Sequence, residues 1–213
     1  MHPQEVVDRL VQAYGRTYAA EAGIRLRDTP GPLYQLLVLA ELASTRIRAE
    51  VAVAAARALF AAGLRDPRRM LDAEWQQRVD ALGGGGYRRY DESTATRLGD
   101  GARLLLDRWH GDLRNLHREA GDRTDALGGA LQRFPGVGPA GADIFLREVQ
   151  GVWPAVAPYF GAKALQGADR LGLPTDPGAL TRLVGRHDPA GFAAALVRAA
   201  LHKDVAEQAL GTS

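Results

Sequence analysis

The sequence predicts an all-α protein, on the strength of three observations. Apolar residues recur every three or four positions along nearly all of its 213 residues. No run of alternating Val, Ile or Thr is typical of a half-buried strand. Three Asp-Pro pairs, Asp66-Pro67, Asp176-Pro177 and Asp188-Pro189, each fit an N-cap followed by proline in the first helical turn. We therefore interpret these aspartates as helix starts and not as active-site acids.

The apolar pattern, divided by proline, glycine and aspartate, also predicts where each helix lies. Boundaries predicted in this way carry an error of about 2 to 4 residues. The predicted helices lie near residues 3–21, 31–43, 46–62, 67–72, 74–82, 91–109, 112–119, 123–133, 139–150, 158–171, 177–185 and 189–209.

Composition limits the class of protein. A hydrophobic content of 46% is enough for a sizeable core in one domain or two small lobes. Basic and acidic residues number 27 and 25, so a nucleic-acid surface would have to be a local patch. Cysteine is absent, which excludes disulfides, thiol catalysis and cysteine-ligated iron–sulfur clusters. No signal-like N-terminus or apolar run of ~18 residues is evident, so we expect a cytoplasmic or nucleoid protein with no membrane contact.

A tight Pro-Gly-Val-Gly turn at residues 135–138 lies between two predicted helices. Gly136 and Gly138 put no side chain between the main chain and a ligand, so their amides are accessible. Pro139 follows at the first position of the next helix, where free amides and the helix dipole favour an anion. Helix, glycine turn, helix is the helix-hairpin-helix pattern, which binds a DNA backbone without reading its sequence. A plain turn between two packed helices is the alternative.

A second irregular segment, Gly84-Gly85-Gly86-Tyr87-Arg88-Arg89-Tyr90, combines flexible glycines with aromatic and cationic side chains. Such side chains can stack on bases and bind phosphate, which favours a DNA-facing wedge. A linker whose tyrosines cover a neighbouring core fits these residues equally well.

Residues 30–175 resemble the endonuclease III or HhH-GPD superfamily of DNA glycosylases. The segment from Tyr34 to Ser44 is similar to the family's second helix, and Thr45 stands where endonuclease III has a glutamine that fills the gap left by a flipped base. Gly86-Tyr87, followed by Thr94-Ala95, is similar to the family's Gly-x-Tyr segment. The hairpin is most similar to that of the alkyl-base glycosylases. Arg170-Leu171-Gly172-Leu173 anchors a gapless match to a later family pattern.

The resemblance implies a two-lobed helix-hairpin-helix glycosylase fold without an iron–sulfur cluster. Residues 30–142 would form a helical barrel lobe, and residues 1–29 with 143–213 the other lobe. It implies a monomer that binds damaged double-stranded DNA. In alkyl-base glycosylases, carbonyls at positions matching Gln132, Phe134 and Val137 hold a monovalent cation against phosphate, which implies Na⁺ or K⁺ here. The implied DNA-binding residues are Thr45, Tyr87, Arg88, Arg89, Gln132, Phe134, Pro135, Gly136, Val137, Gly138 and Ala140.

Two catalytic positions of the family do not match. Ala140 stands where bifunctional members have the lysine that forms a Schiff base. Gly161 stands at the position of the aspartate that stabilises the cationic sugar, and Lys163 at that of a histidine. Asp143 has two interpretations. It is a substitute catalytic acid, or it is a structural carboxylate in the first turn after the hairpin that interacts favourably with the helix dipole. Lys163 is a desolvated nucleophile, a phosphate contact or a solvated charge.

The hairpin and the resemblance thus predict a DNA-repair protein that binds duplex DNA. The resemblance further implies a monofunctional DNA glycosylase, a base-excision-repair hydrolase without lyase activity. The alternative is a catalytically degraded protein that binds DNA or recognises damage. A helical scaffold for other proteins is a third reading, and it would have no DNA affinity even at low salt.

Overall fold

The computed structural model describes residues 2–211, and all regular secondary structure within that range is helical. This confirms the predicted fold class. The helices are α1 (Pro3–Tyr14), α2 (Tyr18–Glu21), α3 (Pro30–Ala43), α4 (Ala49–Ala61), α5 (Pro67–Asp72), α6 (Trp75–Gly84), α7 (Asp91–Trp109), α8 (Leu113–Ala120), α9 (Thr124–Leu131), α10 (Pro139–Val149), α11 (Ala162–Arg170), α12 (Pro177–Val184), α13 (Pro189–Leu201) and α14 (Lys203–Leu210).

The Asp-Pro pairs start helices, as the sequence predicts. The carboxylates of Asp66, Asp176 and Asp188 each accept a hydrogen bond from a backbone amide three residues further on, at 2.7 to 2.9 Å. Each bond satisfies one of the amides that a helix N-terminus leaves unpaired. The prediction that these aspartates are N-caps is confirmed.

The structure corrects three predicted helices. The helix expected over 3–21 ends at Tyr14, where the amide of Gly15 closes it by donating to the Val11 carbonyl at 2.8 Å. The helix expected over 189–209 is divided by His202, whose extended backbone (φ −126°, ψ 118°) ends α13 and precedes α14. Residues 158–160, expected to be helical, lie outside α11, whose N-cap is Gly161.

The chain divides into two compact units. Ala19–Leu146 form one, here called the central unit, and the segments up to Tyr18 and from Arg147 onward form the other, the terminal unit. The predicted lobes were residues 30–142 and residues 1–29 with 143–213, so the observed units have different boundaries. The role of each unit in binding DNA stays a prediction. No helix among the described residues is both long and apolar enough to span a membrane.

Helix α3 forms the centre of the central unit. Every side chain from residue 36 to 42 is buried, so the helix is enclosed on all faces. All of them are apolar except Glu41, which is 5% exposed. A charged residue inside an apolar helix requires a local explanation, because burial of an unpaired charge is costly.

The terminal unit has its own apolar core, which α1 and α11 to α14 build together. Phe160 and Phe192 meet edge to face with ring centroids 5.7 Å apart. Helices α11 and α13 pack backbone to backbone at Gly167, where an added Cβ would lie 1.8 Å from the Leu196 carbonyl oxygen. The two helices can approach this closely because the position is glycine.

We expect Asp188→Ala to lower the free energy of unfolding by about 1 kcal/mol, because the amide of Gly191 loses its carboxylate acceptor at the start of a buried helix. Urea unfolding measures the change. Asp188→Asn, which keeps an acceptor, should recover most of it. Asp204→Ala on α14 is the matched control, and an equal loss there would contradict the N-cap explanation.

Candidate nucleic-acid interface

The predicted hairpin connects α9 to α10 within the central unit. The Phe134 amide donates to the Leu131 carbonyl, and the Val137 amide donates to the Phe134 carbonyl, both at 3.1 Å. Gly136 has a φ of +84°, in the left-handed region that favours glycine. Within residues 2–211 the amides of Gly136 and Gly138 donate no hydrogen bond. The turn therefore keeps two donors for an outside partner.

The apolar side chains of the hairpin anchor it to the core. Phe134 and Val137 are buried, and the Phe134 ring lies 5.5 Å from the ring of Trp109. Pro135, Gly136 and Gly138 are half-buried, and Gln132 and Ala140, which precede and follow the turn, are exposed. The turn is thus held by its apolar side chains and flanked by exposed residues.

Helix α10 starts directly after the turn, with Pro139 as its first residue and Ala140 exposed. Free amides and the helix dipole favour an anion at such a helix start. The first turn contains no acidic residue, so Asp143 lies beyond it. The expectation that Asp143 stands in the first turn is wrong, because the helix begins at Pro139 and position 143 belongs to the next turn.

Glu41 lies against the inner side of the turn. An added Cβ on Gly136 would lie 2.7 Å from Oε1 of Glu41, and this oxygen has no hydrogen-bond partner within the described chain. Burial raises the pKa of Glu41 to about 8, although the nearby charge of Arg97 acts in the opposite direction. Arg97 donates to the carbonyl and hydroxyl of Ser93 instead. Below pH 8 the carboxyl is therefore mostly neutral.

The residues that follow α3 connect the hairpin with the glycine-rich loop. The Ser44 hydroxyl lies 3.2 Å from the Gly136 carbonyl oxygen. Next to it, the hydroxyls of Thr45 and Tyr87 share a hydrogen bond of 3.1 Å. The structure thus brings three sequence-predicted segments together: the hairpin, Thr45 and the loop at residues 85–90.

Tyr87 differs from its predicted role as a stacking side chain. Its exposure is 0%, and its hydroxyl also lies 3.4 Å from that of Thr94. The ring therefore covers the core of the central unit and presents no face to DNA, as in the linker interpretation. Thr45 is half-buried and its hydroxyl also bonds the Leu42 carbonyl at 3.0 Å, so its side chain is directed into the protein.

Arginines supply the charge around this contact. Arg46, Arg48, Arg88 and Arg89 are exposed and lie on the two segments that the Thr45–Tyr87 bond joins. No carboxylate of the described residues lies within ion-pair distance of any of them. Arg89 instead lies over the ring of Tyr90, 5.3 Å from its centroid. These four cations are available to an anionic partner.

Arg133, the arginine of the hairpin itself, has a different setting. It lies over the ring of Trp109 at 5.2 Å and within 3.5 Å of a Glu119 carboxylate oxygen, which also pairs with Arg108 at 2.9 Å. Its charge is therefore partly compensated.

Sequence reasoning missed Glu41, Ser44, Arg46 and Arg48. The signal for Glu41 was present, as a single charge in an otherwise apolar helix. Arg46 and Arg48 stand in the polar break after that helix. The contact of Ser44 with Gly136 spans 92 positions and has no sequence signature.

The catalytic candidates lie in ordinary local settings. Gly161 is the N-cap of α11 and brings no carboxylate. Lys163 is exposed, and its Nζ donates to Oε1 of Gln166 at 2.9 Å on the same helix. Asp143 is half-buried on α10.

The carbonyl groups of the turn fit a monovalent cation in their chemistry. The carbonyls of Gln132 and Val137 accept no backbone hydrogen bond from the described residues, and that of Phe134 accepts one and retains a lone pair. These three carbonyls would hold the cation that the resemblance implies, and its presence stays a prediction.

No family model matches the sequence, and no curated protein matches it. The structure is similar to that of a non-covalent Endonuclease III–DNA complex, with a TM-score of 0.55, 15% identity, and coverage of 93% of this chain and 85% of that chain. It is also similar to a trapped Endonuclease III–DNA covalent intermediate, described as an estranged-adenine complex, with a TM-score of 0.53 and the same identity and coverage. The chain has the endonuclease III fold, a helix-hairpin-helix DNA glycosylase fold.

Proposed function

We propose that this chain, which has the endonuclease III fold, binds the phosphate backbone of double-stranded DNA through its hairpin. The observation that supports this most strongly is the pair of amides at Gly136 and Gly138, which have no hydrogen-bond partner among the described residues and lie on a partly exposed turn. Phosphate oxygens accept hydrogen bonds from such amides, and the start of α10 adds a favourable dipole. Contacts of this kind position a protein on DNA without reading its sequence.

The exposed arginines extend this surface. Arg46 and Arg88 directly follow Thr45 and Tyr87, whose hydroxyls share a hydrogen bond, and both arginines are exposed on the two joined segments. An arginine fork matches the geometry of phosphate oxygens. We infer that these side chains contact DNA, together with Arg48 and Arg89.

We propose further that the protein removes damaged bases by hydrolysis, as a monofunctional glycosylase. Because Ala140 has no amine, it cannot form the Schiff base on which family-type strand cleavage depends. Asp143 is the acid candidate on α10, and Lys163 is a candidate for a phosphate contact or a nucleophile. A monomer located in the cytoplasm or nucleoid fits this proposal.

A catalytically degraded protein that recognises damaged DNA is the second candidate. The observation that favours it is Gly161, which has no side chain to stabilise an oxocarbenium-like sugar. Such a protein would keep the hairpin and the arginine surface but excise no base.

The binding proposal is tested by fluorescence anisotropy of labelled duplex DNA at increasing salt. Each phosphate neutralised contributes about 0.9 to the salt slope. The double variant Arg46→Ala/Arg88→Ala should therefore weaken binding of all sequences alike and lower the slope by about 2. Arg182→Ala/Arg186→Ala, in the terminal unit, makes the same change in net charge. Equal effects of the two pairs would contradict a local binding surface.

Single-turnover assays on a panel of modified bases test the reaction. Gly161→Asp is expected to increase excision about 10²-fold or more, because an oriented carboxylate stabilises the positive charge that develops on the sugar. The φ of Gly161, −73°, is open to any residue, and aspartate is a favoured N-cap, so the variant should fold. Strong wild-type excision that Asp143→Asn abolishes would show that the acid has moved to Asp143.

Borohydride trapping on abasic DNA tests the absence of lyase chemistry. No covalent adduct is expected, because position 140 is alanine. An adduct that mass spectrometry maps to Lys163 would overturn this expectation and identify that residue as a nucleophile.

A further inference from the structure

The peptide group that joins Gly136 to Val137 is held at both ends. Its carbonyl oxygen lies 3.2 Å from the Ser44 hydroxyl, and its N–H donates to the Phe134 carbonyl at 3.1 Å. The peptide groups on either side, which carry the Gly136 and Gly138 amides, have no such partner for their N–H groups within residues 2–211. The orientation of the central peptide therefore determines which groups the turn presents.

A rotation of this peptide by half a turn would exchange the positions of its carbonyl and its amide. The Gly136 carbonyl oxygen would then face outward, beside the amides proposed to bind phosphate. Gly136 stands on one side of this peptide, and glycine restricts backbone rotation less than any other residue. An outward carbonyl carries partial negative charge and would repel a phosphate.

We propose that Ser44 is a positioning residue for phosphate binding: its hydroxyl holds the Gly136 carbonyl on the inner side of the hairpin. The inference rests on the proposed function. The hydroxyl also lies 2.7 Å from the Glu41 carbonyl, so the geometry is that of a three-centre hydrogen bond. Ser44 is also close to α10, because an added Cβ on Gly141 would lie 3.2 Å from the Ser44 Cβ. The end of α3 thus supports the turn and the helix start together.

Ser44→Ala tests this role directly. Loss of one hydrogen bond in the turn is expected to weaken binding of every duplex about 5-fold, with the salt slope unchanged because no phosphate contact is removed. The Val137 amide resonance should shift or broaden in ¹H–¹⁵N spectra of the DNA-free protein, which reports movement of the central peptide. Thr181→Ala is the matched control, because Thr181 also loses a hydroxyl that bonds a carbonyl, at 2.7 Å.

Ser44→Thr and Ser44→Val form a second pair of variants. The two new side chains have nearly the same shape, but valine has a methyl group where threonine has the hydroxyl. Thr should bind DNA more tightly than Val by about the same factor of 5, whatever the added methyl group does to packing. Equal affinities of Thr and Val, with duplex binding by the wild type intact, would overturn the role of Ser44 alone. No duplex binding by the wild type at low salt would overturn the proposed function itself.

Discussion

Gly136→Ala is expected to weaken duplex DNA binding at least about 10-fold and to lower the free energy of unfolding by about 2 to 4 kcal/mol. A residue with a Cβ is strained at a φ of +84°. The new methyl group would also lie 2.7 Å from Oε1 of Glu41 and 3.1 Å from Cδ of Arg97. Because the carboxyl is buried, the turn must move instead. Urea unfolding and fluorescence anisotropy measure the two effects.

Gly138→Ala is the matched variant that separates stability from binding. An added Cβ there meets no atom within 4 Å, and its φ is outside the positive range, so stability should change by less than about 0.5 kcal/mol. The methyl group nevertheless stands beside an amide that we propose contacts phosphate, so binding should still fall. Wild-type affinity in Gly138→Ala would exclude the hairpin as the contact.

The free energy of unfolding is expected to fall as the pH rises from about 4.5 to about 8, because the buried carboxyl of Glu41 loses its proton only near the upper end of this range. Its pKa in the folded state is about 8, against 4.5 for an ordinary glutamate, so the folded state binds this proton more tightly. The contribution is complete below pH 4.5 and is lost as the pH rises through 8. Its size is on the order of 4 to 5 kcal/mol. Urea unfolding at pH 5 and pH 8 measures it.

Glu41→Gln should flatten this dependence, because glutamine stays neutral throughout. Exposed Glu50 on α4 provides the control variant Glu50→Gln, which should keep the wild-type profile. Hydrogen bonds with His187 and Arg108 lower the pKa values of Asp8 and Glu119, and burial of Asp112 is outweighed by its hydrogen bonds with Arg114, which lower its pKa. The contributions of these carboxylates are lost only as the pH falls below their ordinary range, so they do not affect the comparison of pH 5 with pH 8. A Glu41→Gln profile that matches the wild type would show that Glu41 is not the group that titrates.

Local chemistry made most of the helical architecture predictable from the sequence. Asp188-Pro189 specifies a helix start through groups within four residues of one another, and the hairpin glycines specify a turn in the same way. The end of α1 at Tyr14 and the division at His202 were missed, because apolar spacing continues through both positions. A periodic pattern shows which side of a helix packs, but not where the backbone leaves the helix.

The candidate site was less predictable, because it depends on contacts that are distant in the sequence. Tyr87 is of a residue type that can stack on DNA bases, but it is buried in the core. Its hydroxyl bonds that of Thr45, which is 42 positions away in the sequence. The same hydrogen bond joins the segment that carries Arg46 to the loop that carries Arg88. A residue type indicates what a side chain can bind, and its neighbours decide whether it is exposed to do so.

The contacts of Ser44 and Thr45 have a consequence for how the central unit opens. Ser44 bonds the hairpin and Thr45 bonds the loop at residues 85–90, so two adjacent residues join three backbone segments. Segments that are hydrogen-bonded to one another in this way are expected to unfold locally as one cooperative unit. In hydrogen exchange, protected amides of residues 44–48, 85–90 and 132–138 should therefore share one opening free energy. Frayed helix ends elsewhere should exchange sooner and independently.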